Sequence, residues 1–152
     1  MTHEQHMKIR ERQMSATQRS RNPSKIVSCY WLFAKGPGQW KKSANSGKWL
    51  IFVHIDEVDV VWRKIKDAVE DGKLGSLAKV ATAKPNPNAY DPNTKVICVY
   101  CEDSDDEAEV MRVREELRLL GVEDRIPYKT DQATRERQDK NKGSTRISKY
   151  FV

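Results

Sequence analysis

The apolar and polar positions fall into short blocks with two different periods. Ile26 to Ala34 (IVSCYWLFA) is an apolar run rich in β-forming residues, closed by the turn signal Lys35-Gly36-Pro37-Gly38. Gly47 introduces a second predicted strand, Lys48 to Ile55 (KWLIFVHI). The period then changes: Val58, Val61, Trp62, Ile65 and Val69 recur at helical spacing, with Asp56 as a predicted N-cap and Gly72 as the stop. Leu77 to Ala83 and Lys95 to Cys101 read as two further strands. The proline- and asparagine-rich stretch between them, Pro85 to Asn93, lacks the donors and dihedrals of regular structure and reads as a long hairpin loop. A second helix is expected from Ser104 as N-cap, with Val110, Val113, Leu117 and Leu120 as its buried stripe and Gly121 closing it. Ile126 to Thr130 and Ile147 to Val152 complete the series as short strands.

The order β-β-α-β-β-α-β-β, with hairpin-like links, predicts an α+β fold. Its expected form is a curved antiparallel sheet of about six strands with two main helices packed on one face. Residues 1–24 are polar, basic and poor in large apolar groups, which predicts a disordered or marginally helical arm ahead of a single domain over 25–152. A chain of 152 residues suits one domain with one core.

Composition narrows the class. Hydrophobic residues make up 38%, charged residues 33%, and mean hydropathy is −0.80, so the core is modest and the exterior highly charged. No apolar run reaches the roughly 18–20 residues of a membrane span, and the N-terminus has no apolar segment of a secretory signal. With only Cys29, Cys98 and Cys101, a disulfide scaffold is not expected, and a reducing cytoplasmic setting is. Cys98 and Cys101 have the spacing of a metal or redox pair. On a strand, however, residues three apart point to opposite faces, so both are expected as core thiols. His3 and His6 lie in the arm without a supporting carboxylate or thiol cluster, and no metal or other cofactor is expected.

The net charge of +6 is unevenly spread. Residues 1–25 and 125–152 are basic, whereas residues 102–124 hold ten acids against three arginines. Two basic ends and one acidic face suggest a dipolar molecule with a preference for phosphates; the alternative is ordinary solubilising charge.

Gly47-Lys48-Trp49-Leu50-Ile51, followed by a helix carrying Trp62, resembles the glycine-basic-tryptophan-leucine strand and tryptophan-bearing helix of the translation initiation factor 4E cap-binding family. The similarity continues through the hairpin Val80 to Tyr100, the helix ending in Leu120-Gly121, Gly143-Ser144-Thr145 and the closing Tyr150-Phe151-Val152, covering roughly residues 28–152. Ala78-Lys79-Val80-Ala81-Thr82 and Tyr128-Lys129-Thr130-Asp131 are still more similar to an uncharacterised branch of that fold, the basophilic-leukaemia-expressed-protein family. Some members of that branch carry a provisional label of phosphothreonine lyase. The resemblance implies an initiation-factor-4E-like fold. In that family a methylated guanine is sandwiched between two tryptophans, read by an acid and held by basic residues at its phosphates. Trp40 matches the first tryptophan, and Lys84 and Lys95 match basic positions. The segment between Trp40 and Lys48 contains neither a second tryptophan nor an acid, and a key arginine position falls on Thr82. True cap recognition is therefore not expected.

Trp31, Trp49 and Trp62 are expected in the core. Trp40 sits between Gly36-Pro37-Gly38-Gln39 and Lys41-Lys42, a setting that suits base stacking beside phosphates; the alternative is an indole folded back onto the sheet. Lys79 and Lys129, if both point into the concave face, form with Lys84, Lys95 and Arg135 an anion-binding basin. The expected function is an intracellular binding domain holding a phosphorylated ligand, RNA or a nucleotide, with Trp40, Lys79, Lys84, Lys95, Lys129 and Arg135 as its ligand-binding residues. One alternative is a phosphothreonine lyase-like enzyme using Lys79 or Lys129 as base and His54 as acid. The other is a protein-interaction module docking through residues 104–120.

Overall fold

The structure, a computed structural model, describes residues 21–87, 91–140 and 148–152, the side chains of 137–140 excepted. Its strands are β1 (Trp31–Lys35), β2 (Gly47–His54), β3 (Leu77–Ala81), β4 (Thr94–Cys101), β5 (Pro127–Thr130) and β6 (Tyr150–Phe151). Its helices are α1 (Val58–Glu70), α2 (Glu107–Leu119) and α3 (Asp131–Lys140). The six strands form one sheet in the order β1-β3-β4-β2-β5-β6, every pairing antiparallel. The α+β class and the curved antiparallel sheet therefore hold.

Strand alternation puts Trp49 and Ile51, Ala78 and Val80, and Ile97 and Val99 on one face. That face packs against Val58, Trp62, Ile65 and Val69 of α1 and Val110, Val113 and Leu117 of α2. Each such aliphatic group stabilises the fold by roughly 1.5–3 kcal/mol when fully buried. Trp49 is inaccessible, donating its indole N–H to the Val110 carbonyl (3.1 Å), and this bond ties β2 to α2. The fully buried Arg114 donates to the carbonyls of Val152, Val122 and Asp124 at 2.9, 2.8 and 2.7 Å, joining α2 to the last strand. Gly47 has no room for a side chain: a Cβ there would meet the Ser104 and Tyr128 hydroxyls at 2.6 Å. Gly72 and Gly121, at φ 78° and 101°, follow α1 and α2 as the expected left-handed stops.

Four local expectations are corrected. β1 starts at Trp31, five residues late, because Ile26 to Tyr30 leads out of a 3-10 turn at Pro23–Lys25 and leaves Val27 exposed. Asp56 does not cap α1: Glu57 holds the N-cap position without a side-chain bond, and the Asp56 N–H turns back to His54 Nδ1. Ser104 does not cap α2 either. It is buried with its hydroxyl on that of Tyr128 (3.0 Å), and Asp106 caps instead by accepting from the Glu109 N–H. Finally, α3 is a third helix beyond the two main helices expected.

Candidate functional site

The opposite, open face of the sheet carries the residues out of phase with the core. On it lie Trp31 and Phe33 of β1, Lys79 of β3, Val96, Cys98 and Tyr100 of β4, and Lys48 and Phe52 of β2. Trp31 is thus not a core residue. In Trp31-Leu32-Phe33-Ala34 it is Leu32 and Ala34 that join the core, and Phe33 remains 54% exposed.

At one end of this face is a cleft of about 610 Å³. Tyr30, Trp31 and Phe52 give it aromatic walls, and Lys84, Lys95 and Asp91 give it charge. Phe52 is 58% exposed. The Lys84 ammonium lies 4.3 Å from the Tyr30 ring centre, a cation–π contact that fixes it at the rim. Lys95 shares the parity of Ile97 and is buried, so it contributes to the wall rather than to the open rim. Asp91 accepts from the Asn93 N–H and the Thr94 hydroxyl (2.9 Å each), and these bonds hold its carboxyl below the usual range. Thr82, also in the lining, is buried with its hydroxyl donated to the Cys29 carbonyl.

Lys79 stands next along the face. Its ammonium is 3.9 Å above Trp31 and 5.9 Å from Tyr100. Burial, helped by the nearby Lys48 charge, lowers its pKa from the ordinary 10.5. Beyond it, the Trp40 ring meets Tyr100 edge to face, centroids 5.6 Å apart. The Trp40 loop therefore folds back, and its indole is half-buried on the sheet. Val96 at the cleft and Tyr100 at the Trp40 contact are separated by about 13 Å of strand, at roughly 3.3 Å per residue. Of the expected binding residues, Lys84 and Lys95 share the cleft, Lys79 adjoins it through Trp31, and Trp40 lies at the far end.

Lys129 sits opposite Lys48 in the β2–β5 register. Lys48 bonds Asp131 (2.8 Å) and Thr134 (3.0 Å), and Ser46 bonds the second Asp131 oxygen, so the start of α3 is anchored at this edge. Arg135 is exposed on α3. His54 pairs with Thr94 and Lys79 with Cys98, about 13 Å apart along β4, so this imidazole and this amine do not converge. Cys98 and Cys101 are buried free thiols on opposite faces, pushed by burial up to about 11 and about 12. Among the described residues, no group of three or more His, Cys, Asp or Glu side chains is arranged to hold a metal ion. No helix among them is long and apolar enough to cross a membrane.

The sequence reading missed Tyr30, Trp31 and Phe52 as lining residues. A signal was present: Trp31 and Phe33 alternate with the core positions Leu32 and Ala34, and Phe52 alternates with Ile51 and Val53.

The chain is similar in fold to solved translation initiation factor structures. Schistosome eIF4E complexed with m7GpppA and 4E-BP matches with a TM-score of 0.65 at 18% identity, over 93% of this chain and 80% of that one. Ascaris suum eIF4E-3 with an m7G cap matches at 0.59 and 18%, over 93% and 79%. C. elegans eIF4E-3 with the 4E-binding protein Mextli and a cap analog matches at 0.59 and 15%, over 93% and 80%. The family model described as basophilic leukemia-expressed protein Bles03 matches residues 3–135. The chain, carrying this fold with its aromatic and basic open face, therefore belongs to the Bles03 family.

Proposed function

We propose that this chain is a non-catalytic, intracellular binding domain that holds a phosphorylated ligand, RNA or a nucleotide, on the open face of its sheet. The cleft of about 610 Å³ carries the reading: aromatic walls from Tyr30, Trp31 and Phe52 adjoin the amine of Lys84, with Lys95 in the wall behind. Aromatic faces accept bases, and ammonium groups accept phosphates, in a recess large enough for a small ligand. Lys79, Lys129 and Arg135 extend the positive charge along the same side, and Trp40 offers a second ring. Residues 1–24 act as a basic arm that adds non-specific affinity to the domain of residues 25–152.

Proteins of this fold are described with m7GpppA, m7G cap and cap analog, which supports a nucleotide-type ligand here. Here the methylated cap is not the favoured ligand. The one candidate sandwich residue is Trp40, and no second tryptophan or acid stands between it and Lys48.

Tryptophan fluorescence during titration with a methylated cap analog, guanosine triphosphate and a short single-stranded RNA tests the reading, in the wild type and in Trp31→Leu. Quenching by an unmethylated ligand, lost in the variant, supports it. A tighter response to the methylated cap overturns the exclusion of cap binding. No response to any of the three removes the nucleotide reading. A protein partner on residues 104–120 is the second reading, favoured by Leu119, which is 81% exposed within an acidic helix.

A further inference from the structure

We infer that the ligand of the open face is a single strand of RNA several nucleotides long, held extended along β4 from the Trp31 cleft to Trp40, rather than a free mononucleotide. The inference rests on the reading above and deepens it. Two aromatic stations lie on one face. The first is the cleft, where Tyr30, Trp31 and Phe52 surround open volume. The second is the Trp40–Tyr100 pair. About 13 Å of strand separates them. A mononucleotide has one base and can stack at only one station, whereas an extended strand presents successive bases to both.

The residue between the stations has the chemistry the connecting backbone requires. Lys79 places its ammonium 3.9 Å from the Trp31 ring and 5.9 Å from Tyr100, so a cation bridges the two aromatic groups. Aromatic, cation, aromatic in line is the pattern by which sequence-tolerant single-strand binders alternate base stacking with phosphate contact. Lys84 at the cleft and the exposed Lys41 and Lys42 beside Trp40 supply positive charge at each end.

The far end of the track is also defined. At Tyr100 the charge reverses: Glu102, Asp103, Asp106 and Glu109 line a recess of about 300 Å³ whose near wall is Tyr100 itself. Phosphates are repelled there, so the track ends at Trp40 and the bound length is short. A duplex is excluded by the same geometry, because stacking on Trp31 and Trp40 needs unpaired, splayed bases.

The test uses the full chain and oligouridylates of two, four, eight and sixteen nucleotides in fluorescence anisotropy, with uridine monophosphate as competitor. Affinity is expected to rise at least tenfold from the dinucleotide to the octanucleotide and then level off. Trp40→Leu should return the octanucleotide to near the dinucleotide affinity. Far-UV circular dichroism checks that the variant is folded. The exposed double variant Lys41→Glu/Lys42→Glu, which touches no core group, should weaken the octanucleotide about tenfold or more and the dinucleotide little. If the monophosphate competes as well as the octanucleotide, or neither variant weakens the octanucleotide, the extended track is wrong while the nucleotide site stands. If neither nucleotide nor oligomer binds, both are wrong.

Discussion

Two side chains show how a single residue's environment sets what it can do. Arg114 is fully enclosed, and its guanidinium satisfies three carbonyls on the segments that follow α2. Arg114→Met keeps much of the apolar stem and leaves the carbonyls of Val122 and Asp124 without that donor, whereas the Val152 carbonyl keeps the Ile126 N–H (2.9 Å). Each buried unpaired group costs about 1–3 kcal/mol, so a loss of about 2 kcal/mol is expected, read as a lower urea midpoint with unchanged slope. Lys79 is the opposite case, a partly buried cation that folding disfavours, and its pKa lies below 10.5 for that reason. Between its lowered value and 10.5 the unfolded chain binds more protons at this position than the folded one, so Lys79 makes stability rise with pH across that window. Ligand binding follows the other sign. A phosphate needs the ammonium form, so affinity should fall on the alkaline side earlier than ordinary lysines predict. In Lys79→Arg, whose charge does not titrate, that alkaline loss should be largely gone; an unchanged profile would show that Lys79 does not contact the phosphate.

At the scale of elements, the strands and the first two helices were legible because one face of each is buried. Trp49 and Ile51 on β2, and Val58, Trp62 and Ile65 on α1, repeat at periods the core imposes. The helix α3 was not legible, because no apolar stripe drives it. It is held by polar contacts made to distant residues: Lys48 and Ser46 on the Asp131 carboxylate, and Lys48 again on Thr134. Such partners are separated by more than eighty positions in the chain and leave no local pattern. The cap of α2 failed for a related reason. Ser104 and Asp106 are both good N-cap residues, and the choice between them is made by Tyr128, whose hydroxyl claims Ser104. The candidate site divides the same way. Its lysines were visible as residue types, but the stations formed by Trp31 with Tyr30 and by Trp40 with Tyr100 depend on strand parity and loop return. The anchoring of α3 is testable by Asp131→Ala. The start of the helix should lose amide-exchange protection while the β2 and β4 amides keep theirs, with a global cost of about 1–3 kcal/mol from leaving Lys48 without its carboxylate. Equal loss across the whole sheet would mean that α3 is integral to the core.

On the scale of the whole molecule, the net charge of +6 is a sum of opposing regions, and their separation matters more than the total. The acids of residues 102–124 are concentrated on and around α2, where Glu109 pairs with Arg112 at 2.7 Å and Arg118 pairs with Glu115. The lysines proposed for the ligand lie elsewhere: Lys79 on the open face, Lys84 and Lys95 in the cleft, and Lys129 at the β5 edge. A molecule so polarised orients a polyanion before contact, because the potential attracts from one side and repels from the other. If phosphate neutralisation by Lys79, Lys84 and Lys129 is the source of affinity, with Lys95 buried in the wall, counterion release fixes the salt response. For a single strand the slope of log affinity against log salt is about −0.7 per neutralised phosphate, so three contacts give about −2. Lys84→Ala should reduce that slope by about 0.7, because its ammonium, held on Tyr30 at the rim, leaves its phosphate uncontacted when removed. Lys64→Ala, an exposed lysine on the helix side, should leave the slope unchanged. The measurement is an anisotropy titration of a labelled octanucleotide over a series of salt concentrations. A slope near zero, or equal shifts for both variants, would show that the positive charge serves solubility alone. A slope of about −2 that responds only to Lys84 ties the charge pattern of the chain to one face of its sheet.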